Sequence, residues 1–476
     1  MIRFYNTPTG KTEGFRPITP GKVSIYTCGP TVYSTPHIGN FISYIRWDTL
    51  VRMLIANEMK VTRVMNITDV GHLVSDGDDG EDKILKGALR EGISMWDVAK
   101  RYTDEFMDGM SQLNLLAPDF ITKATDFIPE QIALIQTLES KGFTYATDDG
   151  VYYDTSKFPR YAEFARLDLE GMKAGARVDH NSQKRNSSDF ALWKFDTTGK
   201  RTEMVWESPW GKGFPGWHLE CSAMIKAKLG NTIDIHTGGV DHIPVHHTNE
   251  IAQSEAANET PLAHYWLHGA HLLTDGTKIS KSLGNVYYLS DLAEHGFTAM
   301  DLRMLALQSH YRTESNFTWE NMSAAHNRLL HWSQIAALRW QMHDTLVDDD
   351  DKDHSDVSAK LLAAIHAAAE SLQDDLNTPE ALRIIEQAFD AVESSNHTHT
   401  QQDALKQLLA FVDQTLGLQL LGTTPDINEQ QKRLILERER VRESKDWAKS
   451  DEIRDQLSEQ RVILNDTKYG VRWSWR

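Results

Sequence analysis

The sequence predicts an α/β fold built on a doubly wound parallel sheet, followed by helices and closed by a small mixed module. Three observations carry this. Residues 23–28 read as a buried strand, Gly29 and Pro30 punctuate the turn after it, and residues 41–55 have the apolar spacing of a helix. Residues 61–65 and, much later, 232–236 repeat the strand signal. Beyond Met300 the apolar spacing becomes helical. A strand, a loop and a helix in that order open a sheet whose ligands lie beyond the carboxyl ends of its strands, so Cys28 and His37 are expected at a ligand site.

The middle of the chain is mixed. Residues 129–141 read as helix and 150–154 as a short β-like piece. The sheet signal at 232–236 runs through DIHTGG into a turn, and 246–257 reads as a helix. Residues 300–310 and 321–342 are expected helical. Five Asp in the six residues 348–353 cannot pack and mark a linker. Thr378 reads as a helix cap with Pro379 at the first helical position, leading a helix to Val392. A helix near 404–416, a second linker at 422–425, two amphipathic helices at 428–443 and 446–459, and a β-like ending at 462–475 complete the chain.

Composition narrows the class. At 476 residues the chain is too long for one core, and about three domains are expected. Hydrophobic residues make up 40% and charged residues 25%, and no apolar run approaches the ~18 residues needed to span a bilayer. The first residues, MIRFYNTPTG, have no signal-peptide core, so a cytoplasmic protein with no membrane partner is expected. Two cysteines, Cys28 and Cys221, argue for thiols that serve metal or chemistry in a reduced compartment. The net charge of −18 is uneven: residues 430–476 carry twelve Lys and Arg against nine Asp and Glu. That small excess makes the end of the chain its basic part but does not by itself identify a nucleic-acid partner. The acidic stretch SDGDDGEDK, residues 75–83, superficially suggests a calcium loop starting at Asp76. Gly80 and Gly87 occupy its fifth and twelfth positions, where acidic ligands are required, so it reads as solvated loop.

Two short strings concentrate the chemistry. His37-Ile38-Gly39-Asn40 puts an imidazole and a carboxamide beside a glycine where a loop enters a helix, and free backbone N–H groups there suit a phosphate. Lys278-Ile279-Ser280-Lys281-Ser282 puts two ammonium groups on a Ser-rich loop, suited to the charge that builds as pyrophosphate leaves. Either string alone is compatible with an ordinary turn. Their order, spacing and strand context together resemble the HIGH and KMSKS signatures of class I aminoacyl-tRNA synthetases. The surrounding CGPTVYSTPHIGN, GWHLECSAM, HHTNEIAQSEA and KISKSLGN look like the cysteinyl-tRNA synthetase family over nearly the whole chain.

The resemblance implies a split, Rossmann-like catalytic domain over 1–115 and 208–299, interrupted at 116–207 by an inserted α+β domain that helps hold the acceptor end of tRNA. It further implies a connecting stem at 300–344, an all-α bundle at 345–425 and an anticodon-binding module at 426–476, with a monomer expected. The implied activity is ATP-dependent activation of L-cysteine, with Mg²⁺ accompanying ATP, and transfer to tRNA(Cys). DNA is not an expected partner. His37, Asn40, Lys278 and Lys281 would be catalytic, while Gly39, Gly238, Gly239 and Asp241 would join Lys281 in binding ATP. Asn40 stands where HIGH has its second histidine; an amide donates but does not titrate near neutrality, so its role is geometric. Ile279 replaces the commoner Met.

A metal is the sharpest expectation. His246 and Glu250, four apart on an expected helix, share a face, whereas His247 points about 100° away. With Cys28 at a strand end and Cys221 beside an expected sheet region, they offer a tetrahedral zinc set, although His218 competes and such spacing also occurs on solvated helices. In the family resemblance these four match the Zn²⁺ ligands one by one. Cysteine and serine differ by one atom, and size alone discriminates only about tenfold to a few hundredfold, so a thiophilic ion is the expected sorter. The resemblance also implies that Trp217 walls the amino-acid pocket and Thr68 bonds the substrate, although an aromatic such as Trp217 is by itself most simply core. In the last module it implies that Arg442, Trp447 and Asp451 supply a donor, a stacking ring and an acceptor to unstacked bases. Two rivals remain: a ligase that passes activated cysteine to an amino sugar, and a non-catalytic RNA-binding relative.

Overall fold

The computed structural model describes residues 1–71, 82–167, 183–196, 199, 201–280, 283–341, 356–394, 402–468 and 470–475. Lys281, the linker at 348–353 and most of the acidic loop at 75–83 lie outside them. The chain forms two compact units: Ile2–His295 with Tyr311–Ser315, and Gly296–His310 with Asn316–Arg476.

The first unit is organised by a five-stranded parallel sheet. Its strands lie in the spatial order Ala263–Gly269, Ile233–Gly239, Lys22–Thr27, Lys60–Ile67, Phe120–Lys123. Val23, Ile25, Tyr26, Val64, Met65 and Ile67 are buried, as expected of strands covered on both faces. Lys22–Thr27 comes first in the chain and sits at the centre of the sheet. The next two strands extend it one way and the last two the other. The direction therefore reverses between Lys22–Thr27 and Ile233–Gly239, and the crevice at their carboxyl ends is where such sheets bind ligands. Phe120–Lys123 joins this sheet from within the segment assigned to the insertion.

Between the halves of the sheet, a second, antiparallel sheet runs Thr144–Thr147, Gly150–Tyr153, Phe190–Phe195, Gly213–Pro215. Trp193, Leu192 and Tyr153 from it share one core with Leu134 and Leu138 of helix Ile128–Ser140, Leu219 of helix Trp217–Leu229 and Ala252 of helix Thr248–Asn258. That shared core fixes the last two helices, which carry candidate ligands. Gly216 is the joint: its N–H donates to Leu192 O at 2.9 Å, and a Cβ there would lie 2.0 Å from Ala191 O.

Beyond the short strand Ser315–Phe317, the described residues of the second unit are mainly helical until its final hairpin. Helix Thr378–Glu393 is capped one residue earlier than the sequence suggests: the carboxamide of Asn377 accepts from the Glu380 N–H at 3.3 Å, and Thr378 is already helical. The expected linker at 422–425 is pinned. Arg339 donates through Nη1 to Thr424 Oγ1 at 2.7 Å and through Nη2 to Thr424 O at 2.6 Å. Helices Glu429–Glu443 and Trp447–Glu459 pack with the hairpin Val462–Thr467 and Gly470–Trp475 around Ile435, Ile453, Leu457, Val462 and Trp473. No helix among the described residues is long and apolar enough to cross a membrane.

Candidate active site

Cys28 follows the central strand directly, its N–H donating to Thr237 O at 3.2 Å. The loop that follows, Gly29 to Val32, is stapled to the neighbouring strand end. Gly29 N–H donates to Asn66 Oδ1 at 2.7 Å, Thr68 N–H to Pro30 O at 3.0 Å, and Val32 N–H to Thr68 O at 3.2 Å. A Cβ at Gly29 would lie 1.6 Å from Asn66 O, so this approach admits only glycine. The stapling brings Thr68 alongside the loop that carries Cys28, where Thr68 Oγ1 accepts from Asn66 Nδ2 at 3.1 Å.

Helix Ile38–Ala56 starts at a reciprocal cap. His37 Nδ1 accepts from Asn40 N–H at 3.3 Å, and Asn40 Oδ1 accepts from His37 N–H at 3.0 Å. The carboxamide of Asn40 is thus used geometrically, its oxygen holding the turn while its Nδ2 remains the donor end. Ile279 meets this turn from the other string: a Cβ on Gly39 would lie 2.8 Å from Ile279 Cδ1. Asn285 braces the basic loop from within, accepting from Ser280 N–H at 2.8 Å and donating to Lys278 O at 3.2 Å and to Thr277 Oγ1 at 3.0 Å. Both strings border one cavity of about 410 Å³, together with Cys28, Trp217, Gly238, Gly239 and Asp241. A Cβ at Gly238 would meet the rings of His242 and His247 at 2.6 Å, and one at Gly239 would meet Asp241 Oδ1 at 2.3 Å.

Behind Cys28, which lines the cavity, ligand atoms of Cys28, Cys221, His246 and Glu250 all lie within 4.8 Å of one another, and all four residues are buried. Cys221 lies on helix Trp217–Leu229, packed in one core with Tyr26, Val64 and Ile233 of the parallel sheet, and so beside a sheet as expected; Trp217, one turn earlier, faces the same region, its ring centroid 4.6 Å from that of His246. One local structure differs from expectation. His246 lies in a π-helical turn, Ile243–His247, ahead of the α-helix Thr248–Asn258. The wider turn keeps His246 against Glu250, Nε2 to Oε1 2.7 Å, and also brings His247 in, with Nε2 3.4 Å from Cys28 Sγ. His247 is therefore not directed away from the cluster. A second overlapping set, Cys28, His236, His247 and Glu250, meets the same distance criterion. His218 is held off the centre, its Nδ1 2.9 Å from His246 Nδ1.

Electrostatics suit a cation. Burial alone would raise the Glu250 carboxyl, but His236, with Nε2 2.6 Å from Oε2, and His246 hold it well below the usual range. Burial alone would lower His246; Glu250 and Cys221 push it up to about 10. Burial raises the Cys28 thiol, and Cys221 is raised first by its hydrogen bond with Cys28 and then by burial. Two thiols, an imidazole and a carboxylate buried around a site that draws positive charge fit zinc, which takes this donor mixture in tetrahedral array.

The last module brings two of its three expected residues together: the Arg442 guanidinium lies 5.9 Å from the ring of Trp447, which is 57% exposed. Asp451 is exposed one turn further along the same helix. Trp473, in contrast, is buried in the core. The sequence reading missed Asp466, which accepts from Arg438 through both Nη1 and Nη2 at 2.9 Å and pairs with Arg442 and Arg454. It also missed His236 and His268. Their only signal was histidine on apolar strands.

Residues 14–327 match the family model described as tRNA synthetases class I (C) catalytic domain, and 424–476 match the cysteinyl-tRNA ligase anticodon binding domain. The chain is 44% identical to cysteine–tRNA ligase 1 of Burkholderia lata, over 99% of this chain and 96% of that one. It is 40% identical to cysteine–tRNA ligase of Treponema denticola over 99% of each. In three dimensions it resembles Mycobacterium tuberculosis methionyl-tRNA synthetase in complex with methionyl-adenylate, with TM-score 0.61 at 15% identity, covering 84% of this chain and 92% of that one.

Proposed function

Since the chain belongs to the cysteine–tRNA ligase family of class I synthetases, we propose that it selects its amino acid through zinc held by Cys28, Cys221, His246 and Glu250. The chain activates L-cysteine with ATP and transfers the cysteinyl group to tRNA(Cys). Neither an amino-sugar acceptor nor a non-catalytic role is favoured by any feature, and the anticodon-binding match speaks for tRNA. The zinc reading is carried by one observation: the other three donors converge on Cys28, which lines the cavity that the two strings border.

When bound, zinc supplies a soft acid that prefers a thiolate to the hydroxyl of serine, a distinction that shape alone makes poorly. Trp217, packed on the His246 ring, walls the side chain, and Thr68, stapled beside Cys28, hydrogen-bonds the amino acid. The cysteine carboxylate then attacks the α-phosphorus of ATP, and pyrophosphate departs. Gly238 and Gly239, which line the cavity, bind the nucleotide, with Asp241 as an acceptor beside it. His37 and Asn40 contact phosphate from the helix cap, while Lys278 and Lys281 stabilise the departing charge; Mg²⁺ accompanies ATP. In the second step the terminal ribose hydroxyl of tRNA attacks the adenylate, releasing AMP. Arg442, Trp447 and Asp451 meet the anticodon. The enzyme acts in the cytoplasm as a monomer.

Zinc analysis paired with cysteine-dependent ATP–pyrophosphate exchange, on wild type and Cys221→Ser, tests the reading. Wild type should hold one zinc per chain, and the variant should lose it together with cysteine affinity. A zinc-free, fully active wild type would refute it.

A further inference from the structure

A column of hydrogen bonds leads from the edge of the first unit to the sulfur of Cys28. Thr7 Oγ1 lies 2.7 Å from His268 Nδ1, His268 Nε2 lies 2.8 Å from His247 Nδ1, and His247 Nε2 lies 3.4 Å from Cys28 Sγ. His268 and His247 are buried, and Thr7 alone of the column's polar residues is partly exposed. The outer end is held firmly. Thr7 N–H donates to Trp266 O at 3.1 Å, and the preceding Asn6 bonds strand Ala263–Gly269 twice, accepting from Trp266 N–H at 2.9 Å and donating to His264 O at 3.0 Å.

The direction of the column follows from its ends. A cysteine sulfur that binds a metal is a thiolate and only accepts. His247 must then donate its Nε2–H to Sγ, which leaves Nδ1 as an acceptor. His268 must donate from Nε2, which leaves its own Nδ1 as an acceptor, and among the described residues the donor facing that nitrogen is the Thr7 hydroxyl. We propose that Thr7 is a positioning residue: its hydroxyl fixes the tautomers of His268 and His247 so that an N–H is delivered to the Cys28 sulfur. Groups behind a ligand commonly set its orientation and hold on the metal in this way. The column also assigns His247 to the support of a ligand, and so favours the set that contains Cys221 and His246 over the overlapping one. This inference rests on the zinc reading of Cys28.

The test follows zinc release from purified full-length protein to a chromogenic chelator, with melting curves to check folding. Thr7→Val should release zinc about tenfold faster than wild type, in the lower part of the range seen for outer-shell changes, and Thr7→Ser should match wild type. In a His268→Gln background the amide nitrogen donates to His247 whatever residue 7 is, so adding Thr7→Val should change nothing further. Zinc release unchanged in Thr7→Val, an equal acceleration in Thr7→Ser, or an undiminished Thr7→Val effect in the His268→Gln background would each overturn the column. A wild type without zinc would overturn the metal reading along with it.

Discussion

Ile279 Cδ1 occupies the space into which any side chain on Gly39 would grow, with only 2.8 Å to a Cβ built there, although the two residues are 240 positions apart. The turn of the first string and Ile279 of the second are therefore in steric register. Gly39→Ala should slow cysteine-dependent pyrophosphate exchange by about tenfold, because small displacements of a reacting group are costly. Ile279→Val, which removes Cδ1, should restore most of the rate in the double variant. Pre-steady-state exchange checks both, and a double variant no faster than Gly39→Ala would contradict the steric origin.

Asn285 gives the basic loop its shape through three hydrogen bonds. Asn285→Ala should lower kcat for activation by ten- to a hundredfold, leaving KM for cysteine within about twofold, because in the proposed function the loop meets phosphate and not the amino acid. Steady-state exchange separates the two constants.

The two tryptophans of the last module should behave oppositely. Trp473→Ala empties a core site and should cost about 3–5 kcal/mol of that module's stability. Trp447→Ala removes an exposed ring and should change stability by no more than about 0.5 kcal/mol. It should raise KM for tRNA(Cys) while leaving pyrophosphate exchange untouched. Denaturant melts and aminoacylation kinetics on the two variants make the comparison.

Asp466 couples that module to pH. The hydrogen bonds from Arg438, with the one from Arg442 beside them, hold its carboxyl down to about 2. A carboxyl depressed in the folded state stabilises fully above its unfolded value, near 4, and loses that contribution as pH falls through its folded value. The stability difference between wild type and Asp466→Asn should therefore be constant from pH 7 to 5 and shrink steadily from pH 4 towards 2. Tryptophan fluorescence melts across that range follow it.

Much of the catalytic unit was legible because parallel strands buried on both faces leave continuous apolar runs, and because the residues after them, CGP and HTGG, carry chemistry at fixed places. Local capping was read less well. Thr378 looked like the cap of its helix, but the carboxamide of Asn377 reaches the Glu380 N–H. The orientation of His247 was illegible because it depends on a π-helical turn, which has no apolar period to announce it. His236, His268 and Asp466 matter through partners far along the chain, and spacing within a sequence does not reveal such pairs. For the same reason Cys221 could be recognised as a ligand candidate without its helix being foreseen.

Zinc K-edge X-ray absorption on the full-length protein, with and without L-cysteine, tests the central claim most directly. Ligation by Cys28, Cys221, His246 and Glu250 predicts two sulfur neighbours in the free enzyme and three once cysteine is added, with no such gain for L-serine. A sulfur count that stays the same on saturation with cysteine would contradict selection of the substrate through its thiol.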